Sequence, residues 1–337
     1  MGFSLGYQQP LDETNAFVEL VADYRDSIDE VYFPWVGQPS GRSVLGRVGS
    51  YVDWTGQQRL EDDLRRLREL GVRRSLLLNA NCYGDGALST QLATAIVSLI
   101  GHLEDLVGLQ SVTTTSPFVA AIVGREFPQI ERRASVNMQL GTVPALRPLS
   151  GLFDSVYFRK ELNRDFQGFA ALSEYAHSLG LSVHMLANSG CLHHCPGQIF
   201  HDNAVAHEEG ISGRVNHPQG DAALCWRYLE QEENWLGLLQ STWVRPEDLE
   251  AFVPLVDGIK LASRMHSRPR VVVDAYANGT YAGDLLDLLE PGHTPLLQGH
   301  IIANERFPED WFRVTSSCSQ QCHQCTYCRE VLTQVLQ

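Results

Sequence analysis

Leu60-Glu-Asp-Asp-Leu-Arg-Arg-Leu-Arg-Glu-Leu-Gly-Val-Arg-Arg-Ser-Leu-Leu-Leu-Asn-Ala80 is the stretch whose reading decides the fold. Leu60, Leu64, Leu67 and Leu70 recur at helical spacing and share one face, while Glu61, Asp62, Arg65 and Arg66 turn mostly to water. Gly71 stops that helix. Ser75–Ala80 follows, and its unbroken Leu76-Leu77-Leu78 run suits a parallel strand covered on both faces. The alternation extends along the chain, with strands expected at Ser4–Gln8, Glu30–Phe33, Gly108–Thr113, Arg133–Met138, Ser155–Phe158 and Leu181–Leu186. Leu238–Thr242 and Gly258–Leu261 complete the series. Seven or more βα units in 337 residues predict an α/β protein, a (β/α)8 TIM-like barrel that is closed or imperfect. The alternative is a doubly wound sheet, for which no G-x-G-x-x-G stands between a strand and a helix.

The barrel is expected over residues 1–265, a helical extension over 266–306, and a cysteine-rich metal-binding tail over 307–337 packed back on the barrel. Val271–Leu289 reads as a helix broken near Asn278-Gly279 and ended by Pro291-Gly292. The polar run His201–Asp221 reads as a long loop.

Lys plus Arg total 26 and Asp plus Glu 40, a net charge of −14 that argues against indiscriminate nucleic-acid binding. No apolar run reaches the roughly 20 residues of a membrane span, and Met1-Gly2-Phe3-Ser4-Leu5-Gly6 lacks the features of a secretory signal. A cytoplasmic location with reduced thiols is the simplest expectation. Eight cysteines then become the most informative residues, since clustered thiols in a reducing compartment read as metal ligands or redox groups.

Four cysteines lie close together in the tail: Cys318, Cys322, Cys325 and Cys328. Short loops bring such thiolates together at low closure entropy, which suits an iron–sulfur cluster, with zinc as the alternative. Cys318, Cys322 and Cys325 also spell the C-x-x-x-C-x-x-C of radical S-adenosylmethionine enzymes, but at the wrong end of the chain. The other four are dispersed. Cys82 follows the strand ending at Ala80, and Cys191-Leu-His-His-Cys195 follows the strand ending at Leu186. Both emerge where barrel active sites sit. Cys225 returns after the polar run.

Leu186-Ala-Asn-Ser-Gly-Cys-Leu-His-His-Cys-Pro196, Val244-Arg-Pro-Glu-Asp-Leu249 and Asp257-Gly-Ile-Lys-Leu-Ala-Ser-Arg264, taken in order, resemble peptidase family U-32 from about Gly108 onward. The resemblance is nearest to the branch of oxygen-independent hydroxylases and their accessory subunits in the ubiquinone pathway. It implies a 4Fe–4S cluster held by Cys82, Cys191, Cys195 and Cys225, with prephenate as hydroxyl source. The tail thiols would make a second centre. A K-I-E-G-R motif of the family reads Lys260-Leu-Ala-Ser-Arg264 here, with Ala262 in place of Glu.

A dicarboxylate donor needs cationic clamps, for which Arg164, Lys260 and Arg264 at strand ends are the candidates. Glu161 and Asp165 are candidate acids or bases, and His184 a candidate in-strand histidine. His193 and His194, between two candidate ligands, suit hydrogen bonds to cofactor or substrate. Three functions remain open. One is an iron–sulfur hydroxylase or related oxidoreductase acting on a small-molecule or carrier-bound substrate with an electron donor. The second is a U-32-type peptidase, though no H-E-x-x-H or G-x-S-x-G is present. The third is a non-catalytic subunit that serves a homologous partner.

Overall fold

The computed structural model describes residues 2–9, 17–38, 40–41, 47–48, 51–52, 54–212 and 224–337. Eight parallel strands close a barrel in chain order. They are β1 (Phe3–Gly6), β2 (Ile28–Pro34), β3 (Arg73–Leu78), β4 (Ser111–Thr114), β5 (Glu131–Ala134), β6 (Ser155–Tyr157), β7 (Ser182–Leu186) and β8 (Gly258–Leu261). The ring closes where Phe3, Ser4 and Leu5 pair with Ile259, Lys260 and Leu261. This is the (β/α)8 barrel that the alternating pattern implies.

The main covering helices are α1 (Phe17–Asp23), α2 (Trp54–Glu69), α3 (Thr90–Val107), α4 (Pro117–Glu126), α5 (Phe166–Ser178), α6 (Gln198–Ser212), α7 (Pro269–Asn278) and α8 (Tyr327–Val335). Leu60, Leu64 and Leu67 of α2 are fully buried against the sheet. Starts are set locally: Ser89 and Ser116 cap α3 and α4 by accepting from Leu92 N–H and Val119 N–H. Gly71, with φ +72°, turns the chain from α2 into β3 in a conformation that a side chain would strain. No helix among the described residues is long and apolar enough to cross a membrane.

Three expectations fail for physical reasons. Leu238–Thr242 is not a strand; Leu236–Leu239 is a short helix. It is pinned by Trp235 and Trp243, whose indole N–H groups donate to Leu229 O and Leu238 O. A closed barrel leaves no edge for a further strand. His201–Asp221 is not a loop over its first half, because Gln198–Ser212 is helical, and residues 213–221 lie outside the described residues. Val271–Leu289 breaks at Asn278-Gly279 as expected, but beyond the break it is not α-helical. α7 ends at Asn278, Gly279 adopts φ +67°, and Leu285–Leu288 is a separate 3-10 turn. Several strand bounds also shift by a few residues, as β4 does from Gly108–Thr113 to Ser111–Thr114.

TIM barrels usually fill their centre with branched apolar side chains. Here an ion pair crosses it. Glu30 on β2 accepts from Arg133 Nη1 at 2.7 Å and Nη2 at 3.1 Å, although three strand-to-strand steps separate β2 from β5. Ser4 Oγ on β1 donates to Glu30 at 2.7 Å, and Ser111 Oγ on β4 at 3.4 Å. Arg133 Nε donates to Glu131 Oε1 at 3.0 Å and to Ser155 Oγ at 3.3 Å. Glu30 is 4% exposed and Arg133 2%, so neither partner can fall back on water. Burial alone would raise the Glu30 carboxyl, but Arg133 and Ser4 overcome it and hold the pKa at about 2.

Glu30→Gln is expected to cost about 3–5 kcal/mol in denaturant unfolding, because it strands Arg133 without its counter-charge. Glu30→Leu with Arg133→Met should recover most of that loss. Because the folded-state pKa lies below the ordinary 4.5, the stabilisation is full above about pH 4.5 and lost as pH falls toward 2. The double variant should lack that acid-sensitive portion; an unchanged acid midpoint contradicts the assignment.

Candidate active site at the carboxyl-terminal mouth

Alternation along each strand decides what faces the lumen. Above the Glu30–Arg133 pair, Tyr32 (β2), Tyr157 (β6) and Lys260 (β8) form the next group. Lys260 Nζ lies 3.8 Å from the centre of the Tyr32 ring and 5.4 Å from that of Tyr157. Arg264, just past β8, sits 6.0 Å from the Tyr32 ring and reaches Ser40 Oγ at 3.4 Å. Burial first, then the Arg264 and Arg133 charges, lower Lys260 to about 7. Lys260 and Arg264 are therefore brought together at the mouth.

The segment after β6, Lys160–Arg164, is a buried 3-10 turn. Glu161 pairs with Arg159 at 3.2 Å, and Arg159 Nη2 bonds His194 Nδ1 at 3.2 Å. His193 Nε2 lies 3.4 Å from Glu161 O, and the two imidazoles meet edge-on at 4.1 Å. Burial and His194 lower His193 to about 4, so it stays neutral at physiological pH. Glu161, His193 and His194 thus form one group.

Lys160, which the sequence reading passed over, links two parts of the rim. Its Nζ donates to Gln198 Oε1 at 2.7 Å, and Cys191 is near enough to act on its charge. Burial opposes its charge, but Cys191, Glu161 and Asp202 outweigh that effect and raise its pKa. Gln198 continues to Asp202 at 2.8 Å, and Asp202 accepts from Asn81 Nδ2 at 3.4 Å. That chain ties the Cys191 loop to the loop bearing Cys82.

Cys191, Cys195 and Cys225 occupy one neighbourhood. Burial raises the Cys225 thiol, and the nearby Cys191 and Cys195 raise it further. A Cβ on Gly197 would lie 3.4 Å from Leu224 Cβ and 3.8 Å from Cys195 Sγ, so the turn carrying Cys225 packs directly on the Cys195 loop. Cys82 Sγ accepts from Gly84 N–H at 3.4 Å within its own loop. Among the described residues, no three His, Cys, Asp or Glu side chains are gathered closely enough to hold an ion as they stand. The chemistry of the donor set, several half-buried thiols beside a cationic lysine, nonetheless fits a thiophilic centre rather than calcium or magnesium.

Three expected site residues lie elsewhere. His184 packs beside Tyr157, with ring centroids 5.2 Å apart, and its Nε2 lies 3.8 Å from Glu131, the first residue of β5. Burial and Arg133 push its pKa well down, so it reads as a neutral interior histidine on the amino-terminal side. Arg164 turns away from the mouth into an aromatic box formed by Trp243 and Trp311. Asp165 caps α5 by accepting from Gly168 N–H at 3.0 Å.

No family model matches this chain. It is 24% identical over 279 residues to "Uncharacterized protease MJ1657" of Methanocaldococcus jannaschii, covering 79% of this chain and 77% of the relative. The solved structure "The Structure of the U32 Peptidase Mk0906" superposes with a TM-score of 0.55 at 16% identity, over 77% of this chain and 92% of that one. The likeness is to U32 peptidases. The superposition bears on the fold alone, and the sequence relative, named as a protease, matches over most of the chain.

Lys260→Met is expected to stabilise the protein at pH 6 by an amount on the order of 2–4 kcal/mol. The folded-state pKa lies below the ordinary 10.5, so the penalty for the buried ammonium is complete below about pH 7 and fades as pH rises toward 10.5. Denaturant unfolding at pH 6 and pH 10 checks this, and a variant that is less stable at pH 6 contradicts it.

Proposed function

We propose that this chain is a U32-type enzyme whose reaction takes place at the carboxyl-terminal mouth. Cys191, Cys195 and Cys225, joined by Cys82, would hold a 4Fe–4S cluster there. The observation that carries this reading is the packing of the segment bearing Cys225 on the Cys195 loop, where a Cβ on Gly197 would lie 3.4 Å from Leu224 Cβ and 3.8 Å from Cys195 Sγ, with Lys160 held beside it through Gln198. When bound, the cluster would supply one-electron chemistry or an activating iron. The reaction would be hydroxylation without oxygen, from a prephenate-type donor to a small-molecule or carrier-bound acceptor. An external electron donor and a homologous partner subunit are compatible with it.

The chain's own residues have definable tasks in such a reaction. Lys260 and Arg264 would receive the carboxylates of the donor, and an arriving anion would draw a proton onto Lys260, whose pKa near 7 leaves it half-charged at neutral pH. The Tyr32 and Tyr157 rings give a flat apolar wall that excludes water around that contact. Lys160 would balance negative charge on Cys191, and neutral His193 would offer a hydrogen bond without adding charge.

A second reading is hydrolysis, favoured by the word protease in the relative's name and peptidase in the structural neighbour's.

Anaerobic purification with iron and acid-labile sulfide analysis tests the main reading. The mouth is expected to contribute about four iron and four sulfide per chain, which Cys191→Ser with Cys195→Ser should remove. Mouth iron that survives this change sinks the cluster reading, and cleavage of casein by metal-free protein would move the assignment to hydrolysis.

A further inference from the structure

The mouth leaves a second group of thiols unused. Cys318, Cys322 and Cys325 are exposed, and Cys328 is half-buried at the start of α8. The four lie within eleven residues of one another, and the Cys328 thiol, raised first by burial, feels the other three and Arg164, which places them in one patch though not in a closed ligand set. Gln320, inside the Cys318–Cys322 loop, holds a left-handed φ of 58°, and His194, inside the Cys191–Cys195 loop, holds one of 50°. Both C-x-x-x-C loops therefore carry a non-glycine residue in a costly conformation, which proteins retain chiefly at functional turns.

Arg164 faces this spot from the barrel side. It is only 7% exposed, and its Nη2 donates to Leu239 O at 2.6 Å; among the described residues it makes no ion pair with a carboxylate. Its guanidinium lies 5.5 Å from the Trp243 ring and 5.1 Å from the Trp311 ring, and Tyr327 stacks on Trp311 at 6.1 Å beside Cys328. Asp248, the nearby carboxylate, is already paired with Arg245 at 2.8 Å. A buried cation without an ion-pair partner is expensive unless a counter-charge is supplied. The remaining ionisable groups that act on it are the Cys328, Cys318 and Cys322 thiols.

We propose that Cys318, Cys322, Cys325 and Cys328 bind one thiophilic metal centre, a 4Fe–4S cluster or a zinc ion, with Arg164 as its buried counter-charge. Binding breaks four S–H bonds and releases four protons to solvent. Four thiolates leave either centre with a net charge of about −2, which Arg164 half-compensates across the aromatic box. The exposed thiols must swing inward about the Gln320 turn, because as they stand they do not form a closed ligand set. Arg164 acts here as a positioning residue, through its charge on the thiolates and not on the metal.

The test uses the full chain purified anaerobically, with iron, sulfide and zinc counted per chain. Cys318→Ser with Cys322→Ser, at exposed positions, should lose one centre: about four iron with equal sulfide, or one zinc. Cys191→Ser with Cys195→Ser should leave that centre in place, so failure at the mouth and failure in the tail give different patterns. Arg164→Leu should release the tail metal to a chelator at least about tenfold faster, with Arg164→Lys partly restoring retention. If Arg164→Leu does not fold, the tail serine variant decides. Unchanged metal content in that variant, or tail thiols joined as disulfides in the anaerobic protein, overturns the proposal.

Discussion

The Glu30–Arg133 ion pair through the barrel centre is the constraint on which the mouth depends. Its two ends sit on strands that are not neighbours, so it fixes their relative position as well as filling space. Because the pair is buried, any shift that lengthens it exposes two charges to an apolar interior, which makes its geometry unforgiving. Ser4, Ser111, Ser155 and Glu131 complete its hydrogen bonds from four more positions around the ring. Its positive end is also felt one level up. Arg133 helps keep Lys260 from holding its proton, so the core arrangement and the state of the mouth lysine are linked electrostatically.

The 3-10 segment Lys160–Arg164 carries that order outward. Its first residue faces Cys191 and its last faces the tail thiols, with Glu161 between them organising Arg159, His193 and His194. Asn163 anchors the segment by donating to Leu186 O and Thr242 O, both at 2.8 Å. One short buried turn thus presents a cation to each of two cysteine groups far apart in the sequence. Such a turn tolerates little change, since moving either end disturbs the other.

Much of the barrel could be read from residue pattern because its outer face obeys simple rules. Leu60, Leu64 and Leu67 mark a helix, and Leu76-Leu77-Leu78 a buried strand, whatever else the chain does. The lumen was harder. Glu30 and Arg133 lie on predicted strands, yet nothing in the spacing says that two charges 103 residues apart meet. The available signal was their phase, opposite to that of the neighbouring Asp29 and Arg132. Arg164 shows the opposite failure. Its position after β6 suggested a clamp at the mouth, but two tryptophans, one of them in the tail, draw it elsewhere. The cysteines fall between these cases: loop position identified Cys191 and Cys195, whereas no spacing in the sequence shows that the short helix carrying Cys225 packs on the Cys195 loop.

The most direct test of the account is anomalous diffraction at the iron edge from crystals of the full chain grown without oxygen. The account predicts a strong anomalous peak within bonding distance of the Cys191, Cys195 and Cys225 sulfurs, facing Lys160. Thiols bare of iron in a fully iron-supplied, active preparation would contradict it.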